Sequence, residues 1–317
     1  NFAPELNAYA ASHGKPNFFM FGEVYSANEK LLSFYPTDPD TQAVLDFGFQ
    51  AAARDFASKS TTTDNLRTFF EKDDWFIDAD SNASQLPTFL GNHDMGRIGY
   101  FLKTDNPTTT DAELLARDQL AHSLMYLSRG MPVVYYGDEQ GFTGTGGDKD
   151  ARQDMFPSQV VDYNANDLIG TTKTTADDNF DPTHPLYQTL DALAQLSKDN
   201  PALRTGAQIH RASGGAAGIY AFSRIDRDQK IEYVVALNNS NAAANADVQT
   251  YYGSGVQFDA IYGATGSLNT DANGKLTISL PAFGAAVYKA SATIPTSAAA
   301  PSVAIAGLTN GQEVTLG

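Results

Sequence analysis

The amino-acid sequence predicts an α/β fold with a parallel sheet, followed by a small antiparallel β domain. Up to about Gly206, short apolar runs that end in glycine or polar residues alternate with amphipathic stretches. Such repeated strand–helix units are typical of a parallel sheet. From about Gln208 onward, closely spaced strand patterns separated by turn residues replace them, which is typical of antiparallel β structure.

The first part of the chain contains four apolar runs that predict parallel strands covered on both faces. Two amphipathic stretches predict the clearest helices. Residues 111–128 begin with an acidic turn, and residues 184–198 place Pro185 in the first turn. The predicted strands cover residues 18–21, 43–47, 87–90 and 132–136.

The second part contains five strand patterns, which predict a small all-β antiparallel domain. They cover residues 219–224, 231–237, 256–262, 276–280 and 285–289. An uncharged stretch rich in Ala, Ser, Thr and Pro follows and predicts a linker. The expected boundaries are residues 1–206 for the α/β part, 207–289 for the β domain, 290–302 for the linker and 303–317 for the start of a further β module.

Charge and composition exclude several classes of function. The 21 basic and 37 acidic residues give a net charge of −16, which argues against nucleic acid and anionic membranes as partners. The absence of cysteine excludes disulfides and thiolate metal sites, and the 5 histidines show no metal-ligand spacing. No apolar run is long enough to span a bilayer.

Polar side chains follow three of the four predicted parallel strands. Glu23 ends the first, the run 92–94 (Asn-His-Asp) ends the third, and the run 137–139 (Gly-Asp-Glu) ends the fourth. In a barrel of alternating strands and helices, the carboxyl ends of the strands build the active site. Carboxylates there suit acid–base chemistry, and glycoside hydrolysis needs two of them. Helix caps have the same residue types, so the spacing alone leaves both interpretations open.

Three motifs occur in order on these strands, and shorter motifs accompany them. The three are F-F-M-F-G-E-V at residues 18–24, F-L-G-N-H-D at 89–94 and G-M-P-V-V-Y-Y-G-D-E at 130–139. Together they resemble signature regions of the α-amylase family of glycoside hydrolases (glycoside hydrolase family 13). R-Q-D-M-F at 152–156 agrees with this resemblance, which runs from residue 2 to residue 289. It implies that residues 1–206 form the C-terminal four strands of a (β/α)8 TIM barrel and that residues 207–289 form the family's β-sandwich domain.

The resemblance assigns roles to individual residues. Glu23 matches the family's general acid/base, and Asp94 matches the aspartate that stabilises the transition state. His93 matches the histidine that hydrogen-bonds the hydroxyls of the same sugar. Asn92 and Tyr25 complete the predicted substrate-binding residues. The competing interpretations are a solvated surface carboxylate for Glu23, a helix cap for Asp94 and a structural histidine for His93.

Other residues near the strand ends receive non-catalytic interpretations. Asp138 and Glu139 belong to a motif that the family uses as framework, so neither is predicted to be catalytic. The glycine-rich run 144–147 lacks the lysine of a phosphate-binding loop and is predicted to lie over the substrate cleft. Tyr25, Phe142 and Phe156 are candidates for stacking on sugars, with core packing at least as good an explanation for each.

The family's catalytic nucleophile lies on a strand before the one that carries the general acid. Residues 1–17 are predicted to form a helix and contain no R-x-D motif. The chain is therefore expected to be a fragment that is inactive alone and whose first strand presents an unpaired edge. No cofactor is expected in this segment, and calcium is left open for the full-length parent.

The functional hypothesis is a part of a retaining α-glucan glycoside hydrolase of the α-amylase type. It would hydrolyse internal α-1,4-glucosidic bonds of starch or maltooligosaccharides, and a secreted, extracellular bacterial enzyme is expected. A transglycosylase or an α-1,6-cleaving relative with the same carboxylates is one alternative. A non-catalytic glucan-binding homologue is another, although Glu23 and Asp94 together argue against it.

Overall fold

The computed structural model describes residues 2–37, 41–79 and 81–296, so the expected β module at 303–317 and the end of the linker lie outside the described residues. The helices are α1 (Phe2–Ser12), α2 (Glu29–Thr37), α3 (Phe47–Ala53), α4 (Asp64–Phe70), α5 (Ile98–Asp105), α6 (Asp111–Leu127), α7 (Pro185–Asp199) and α8 (Ala202–Thr205). The strands are β1 (Phe21–Gly22), β2 (Ala43–Val44), β3 (Pro87–Phe89), β4 (Met131–Val133), β5 (Ala207–Ala212), β6 (Ile219–Ile225), β7 (Glu232–Asn238), β8 (Ala244–Gln249), β9 (Gln257–Tyr262), β10 (Ser267–Asn269), β11 (Lys275–Leu280) and β12 (Ala285–Ala290).

The first four strands are parallel and stand side by side in chain order. β1 pairs with β2, and β3 pairs with β4. The backbone N–H of Asp46 donates to the carbonyl of Pro87 at 3.0 Å, which joins the two pairs. The predicted parallel strand–helix arrangement is therefore confirmed, and the carboxyl ends of all four strands face the same edge.

All four parallel strands are shorter than predicted; β2 ends at Val44 instead of Phe47, and β3 ends at Phe89 instead of Leu90. The prediction of a strand over residues 18–21 is corrected to β1, because the N–H of Met20 donates to the side-chain Oε1 of Gln42 at 2.6 Å instead of entering the ladder. The prediction over 132–136 is corrected to β4. There the chain turns away, since the N–H of Asp138 donates to the carbonyl of Tyr135 at 3.1 Å.

The segment around β1 is exposed, although its apolar run predicts a strand covered on both faces. Phe18, Phe19 and Phe21 are 41%, 38% and 53% exposed. Within the described ranges, β1 pairs only with β2, so its other edge carries no strand there. The prediction of cover on both faces is wrong for this chain, whereas the expectation of an unpaired edge agrees with the structure.

The two long helices begin and end as predicted to within one residue. The hydroxyl of Thr110 accepts the N–H of Glu113 at 3.3 Å and so caps α6. His184 lies just before α7 as its cap, and Pro185 occupies the first turn. The apolar stripes that predicted these helices are buried: Leu120, Leu124 and Leu127 on α6, and Leu186, Leu190, Leu193 and Leu196 on α7.

The β domain consists of a six-stranded antiparallel sheet and a two-stranded partner. The order in the large sheet is β10-β9-β12-β7-β6-β5, and β11 pairs with β8. All five predicted strands are present, whereas β5, β8 and β10 were not predicted. In β8 only Val248 is fully buried, so its sequence carries a weak apolar signal.

The two parts of the molecule share one hydrophobic core. One face of the large sheet contributes Tyr220, Phe222 and Val235 to the cluster that contains Leu120 and Leu124 of α6. The opposite face packs on β8 and β11. The central strands β6 and β7 are buried on both faces, which explains why the sequence of β7 is mostly apolar instead of alternating.

The chain remains attached to the β domain beyond its last strand. The N–H of Ser291 donates to the carbonyl of Gln257 at 2.9 Å, and the N–H of Ile294 donates to that of Lys230 at 2.7 Å. The first described residues of the expected linker therefore lie against the sheet. Among the helices that the structure describes, none is long and apolar enough to cross a membrane.

Candidate active site

The carboxyl ends of the first three strands are held together by aromatic contacts. Tyr25, two residues after Glu23, lies 4.7 Å from the ring of Phe47, which opens α3 directly after β2. Phe47 in turn lies 5.0 Å from the ring of Phe89, the last residue of β3. This row links the segment that carries Glu23, across the end of β2, to the end of the strand that leads to Asp94. Glu23 itself is exposed and forms no ion pair with any residue that the structure describes.

A tight turn after β3 presents His93 and Asp94. The side-chain oxygen of Asn92 accepts the N–H groups of Asp94 and Met95 at 3.0 and 2.9 Å. The backbones of Asn92 and Gly96 exchange two further hydrogen bonds, and Gly96 has a φ of +110° that favours glycine. Asn92 was predicted to bind substrate, and in the structure its side-chain amide oxygen stabilises the turn.

The turn directs the two following side chains toward solvent. His93 Nε2 lies 3.3 Å from Asp94 Oδ1, and about half of each side chain is exposed. Asp94 does not cap a helix, because α5 begins only at Ile98 and its cap is Arg97. The helix-cap interpretation of Asp94 is therefore wrong, and its carboxylate is free to meet a ligand.

Arg152 is a neighbour of Asp94 that the sequence did not single out. Its Nη2 lies 3.8 Å from Asp94 Oδ1 and 3.0 Å from Asp148 Oδ1. The motif R-Q-D-M-F contains this arginine, but the motif gives no indication of which side chain it approaches. Since both side chains are substantially exposed, solvent screens much of this charge interaction.

The glycine-rich segment packs directly on the turn, in agreement with its predicted place at the cleft. The N–H of Asp148 donates to the carbonyl of Asp94 at 3.2 Å. A Cβ on Gly147 would lie 2.2 Å from that same carbonyl oxygen, so only glycine permits this approach. The position of Asp94 is therefore determined from two sides, by its own turn and by this loop.

Arg97 lies beneath the turn and is completely buried. Its Nε donates to Gln153 Oε1 at 2.8 Å, and its Nη1 donates to the carbonyl of Tyr136 at 2.5 Å. The same Nη1 is 3.3 Å from Asp138 Oδ1. The centroids of three aromatic rings lie within cation–π distance of the guanidinium carbon: Tyr135 at 4.5 Å, Tyr136 at 4.9 Å and Phe142 at 5.1 Å.

The Gly-Asp-Glu motif after β4 is part of this buried framework. Burial raises the pKa of Asp138 to about 7, and the positive charges of Arg97 and His122 oppose that rise. Glu139 accepts the N–H of Gly137 at 2.8 Å and so closes the turn after β4. Neither contact presents a carboxylate to the open side of the site.

The three candidate stacking aromatics separate clearly by exposure. Phe142 is buried and packs near Arg97, so core packing is the correct interpretation for it. Tyr25 and Phe156 are both more than half exposed and are available to a ligand. Among the described residues, no group of three or more His, Cys, Asp or Glu side chains is arranged to hold a metal ion.

Comparison with known proteins gives a consistent result. A family model described as the alpha amylase catalytic domain matches residues 1–211. The chain is 48% identical over 304 residues to an α-amylase of Streptomyces lividans. The aligned region covers 96% of this chain and 33% of that protein. It is 27% identical over 297 residues to a cyclomaltodextrin glucanotransferase of a Bacillus species, covering 88% of this chain and 36% of that one. The chain thus spans about a third of the length of these two relatives.

Solved structures agree on the fold. An Anoxybacillus α-amylase superposes with a TM-score of 0.70 at 21% identity, covering 94% of this chain and 56% of that one. The α-amylase of Geobacillus thermoleovorans, solved with acarbose, superposes with a TM-score of 0.69 at 21% identity over 91% of this chain and 56% of that one. Because the family model matches residues 1–211, which is most of the chain, this chain belongs to the α-amylase family through its catalytic domain.

Proposed function

We propose that this chain supplies the general acid/base and the transition-state-stabilising aspartate of a retaining α-glucan hydrolase. The observation that supports the proposal is the aromatic row Tyr25–Phe47–Phe89, which links the segment of Glu23, across the end of β2, to the strand that leads to Asp94. Cleavage of a glycosidic bond requires two carboxylates, and the carboxyl ends of barrel strands are where such side chains meet. The proposed substrates are α-1,4-linked glucans and maltooligosaccharides.

The proposed chemistry divides between Glu23 and the turn after β3. Glu23 donates a proton to the glycosidic oxygen and later removes one from the attacking water, for which its exposed position gives access. Asp94 stabilises the positive charge that develops on the sugar ring, and His93 hydrogen-bonds the hydroxyls of that same ring. The contact between these two side chains, 3.3 Å from Nε2 to Oδ1, would keep them on one side of the substrate.

The four parallel strands are proposed to be one half of a (β/α)8 barrel. Their chain-order arrangement supports this, and so do the exposed Phe18, Phe19 and Phe21 on the open side of β1. A neighbouring strand on that side would supply the nucleophile that a retaining mechanism needs. An extracellular bacterial location is proposed from the family resemblance alone.

A transglycosylase is the second candidate, because cyclomaltodextrin glucanotransferases are among the relatives. In both reactions the same carboxylates act, and the difference is whether water or a sugar hydroxyl attacks. Product analysis distinguishes them, since hydrolysis of maltoheptaose gives shorter linear products and transfer gives longer or cyclic ones.

The test joins this chain to the upstream barrel segment of the Streptomyces lividans α-amylase, giving what is called below the joined protein. We expect release of reducing sugar from soluble starch by the joined protein and none above background by the chain alone. Glu5→Gln, an exposed carboxylate on α1, serves as the matched control for Glu23→Gln. Full activity of the Glu23→Gln joined protein would refute the proposed role of Glu23.

A further inference from the structure

Arg97 connects three segments of the candidate site from below. It directly follows the turn 92–96, and its two shorter hydrogen bonds reach the carbonyl of Tyr136 after β4 and the side chain of Gln153, with a longer third one at 3.3 Å to Asp138. Both Arg97 and Gln153 are completely buried. A buried guanidinium loses much of its hydration, so its remaining contacts are strong and directional.

The segment of Gln153 returns to Asp94. Gln153 Nε2 donates to the carbonyl of Asp150 at 2.6 Å, and the preceding Asp148 donates its N–H to the carbonyl of Asp94. Arg152, adjacent to Gln153, approaches the carboxylate of Asp94. The contacts form a closed ring that runs from Arg97 through the loop to Asp94 and back along the turn.

The charge around Arg97 is balanced by a buried series of ionisable groups. Arg97 faces Asp138, and His122 also acts on Asp138 from α6. His122 Nδ1 in turn lies 2.9 Å from Asp118 Oδ1, and both side chains are buried. Two basic and two acidic side chains, Arg97, Asp138, His122 and Asp118, therefore alternate beneath the site. Arg97 has two separable roles here: it balances Asp138, and it holds Tyr136 and Gln153.

We propose that Arg97 is a positioning residue for the turn that carries His93 and Asp94, and that it acts through its hydrogen bonds to Tyr136 and Gln153. Neutralising Asp138 is the lesser of its two roles. The inference rests on the proposed function for its catalytic consequence, but its structural part concerns this chain alone. Arg97 touches no substrate in this scheme, because it lies beneath the turn and is buried.

The structural test is amide hydrogen exchange on the chain itself. Arg97→Met should raise exchange at Asp94, Met95 and Gly96 at least roughly tenfold, since the turn loses its buried support. Arg97→Met/Asp138→Asn removes the uncompensated carboxylate as well and should show the same rise. Asp138→Asn alone should leave the turn unchanged.

The matched control is Arg117→Met on α6. Arg117 is also a buried arginine that donates to backbone carbonyls, those of Ala57 and Ser58, and it lies over the ring of Phe283 at 4.3 Å. It contacts none of the residues of the turn among its described hydrogen bonds. Its loss should leave exchange in the turn unchanged.

Three outcomes would overturn the proposal. If the double variant restores wild-type exchange, Arg97 only balances the charge of Asp138. If Arg97→Met raises exchange equally across α6 and β6, its role is general stability. If Arg97→Met leaves the turn unchanged, the ring of contacts does not hold it. Arg97→Lys, which can keep one hydrogen bond but not both, should give an intermediate rise and replaces Arg97→Met if that variant does not fold.

The catalytic arm uses the joined protein. Arg97→Met should lower kcat for maltoheptaose by roughly ten- to a hundredfold with a smaller change in KM, because misplacement acts on the transition state. The double variant should stay equally impaired. If the joined protein shows no activity, the proposed function is refuted. If Arg97→Met still raises hydrogen exchange only in the turn, the positioning role of Arg97 stands nevertheless.

Discussion

The parallel part and the β domain of this molecule are built in opposite ways. In the β domain, β6 and β7 each run for 7 residues, pair on both sides and are buried on both faces. The strands β1 to β4 run for only 2 or 3 residues each, and β1 is exposed. The region that carries the candidate site therefore has few backbone hydrogen bonds between strands to fix its geometry.

In the parallel part, side-chain contacts at the strand ends take the place of hydrogen bonds between strands. Tyr25, Phe47 and Phe89 align three strands, and Arg97 ties the turn after β3 to the segment after β4. Short strands serve mainly to start loops in the right direction, and polar side chains then hold those loops. Function and stability are consequently sensitive to different residue types in the two regions.

The largest effect of a single substitution is expected at Glu23, in the parallel part. In the joined protein, Glu23→Gln should lower kcat on maltoheptaose roughly 1,000-fold or more, because general acid–base catalysis is lost. The melting temperature should hardly move, since the side chain is exposed. An aryl maltoside with a very good leaving group needs no protonation, so its first step should be largely spared. Equal losses on both substrates would contradict the acid role.

Two phenylalanines, one on a strand of each region, test how much each region contributes to the free energy of unfolding. Phe222→Ala on β6 removes a ring that is 0% exposed and should lower the free energy of unfolding by about 3–5 kcal/mol. Phe21→Ala on β1 removes a ring that is 53% exposed and should change it by less than about 0.5 kcal/mol. Denaturant unfolding measures both, and similar losses would show that β1 is as well packed as β6.

Exposure around β1 also predicts association of the chain in solution. The rings of Phe18, Phe19 and Phe21 lie on neighbouring residues, and Phe2 at the start of α1 is 75% exposed. Light scattering should show species larger than a monomer, and Phe18→Ser/Phe21→Ser should reduce them. Phe156→Ser, an exposed ring in a distant part of the chain sequence, is the control. A monomeric wild-type chain would contradict the prediction.

The smallest expected effect is a pH dependence that comes from Asp138. Burial raises its pKa to about 7, so the folded state keeps a proton that the unfolded chain, with a pKa of about 3.9, releases. The stability that Asp138 contributes is thus lost as the pH rises from about 4 to 7. Relative to wild type, Asp138→Asn should gain about 2–3 kcal/mol between pH 5 and pH 7.5. Asp181→Asn, whose pKa is lowered to about 2, should show no such gain.

The sequence was informative where periodicity or motifs were strong. The apolar stripes of α6 and α7 predicted both helices, and the motif order predicted which strand ends carry Glu23 and Asp94. The start of β1 was not predictable, because it depends on the side chain of Gln42, which lies 22 residues away from Met20. Strand β8 escaped prediction because its apolar positions are mostly alanine.

Two arginines show why the details of the candidate site were not predictable. An arginine is normally predicted to be exposed, and no residue next to Arg97 in the sequence indicates that three aromatic rings and three hydrogen-bond acceptors enclose it. Arg152 reaches Asp94 only through the path of the loop between them. Both contacts are non-local, so they follow from the fold and not from the spacing of residues.

The shared core limits where this protein can be cut and recombined. Phe222 and Val235 of the β domain pack in the same cluster as Leu120 and Leu124 of α6, and the N–H of Arg129 donates to Gln208 at 2.7 Å. A crossover at residue 206 would divide secondary structure cleanly but would divide one core into two halves. Exchange of β domains between relatives should therefore succeed only when α6, whose side chains pack on the β domain, is exchanged together with it. The two parts of the molecule are thus expected to evolve together.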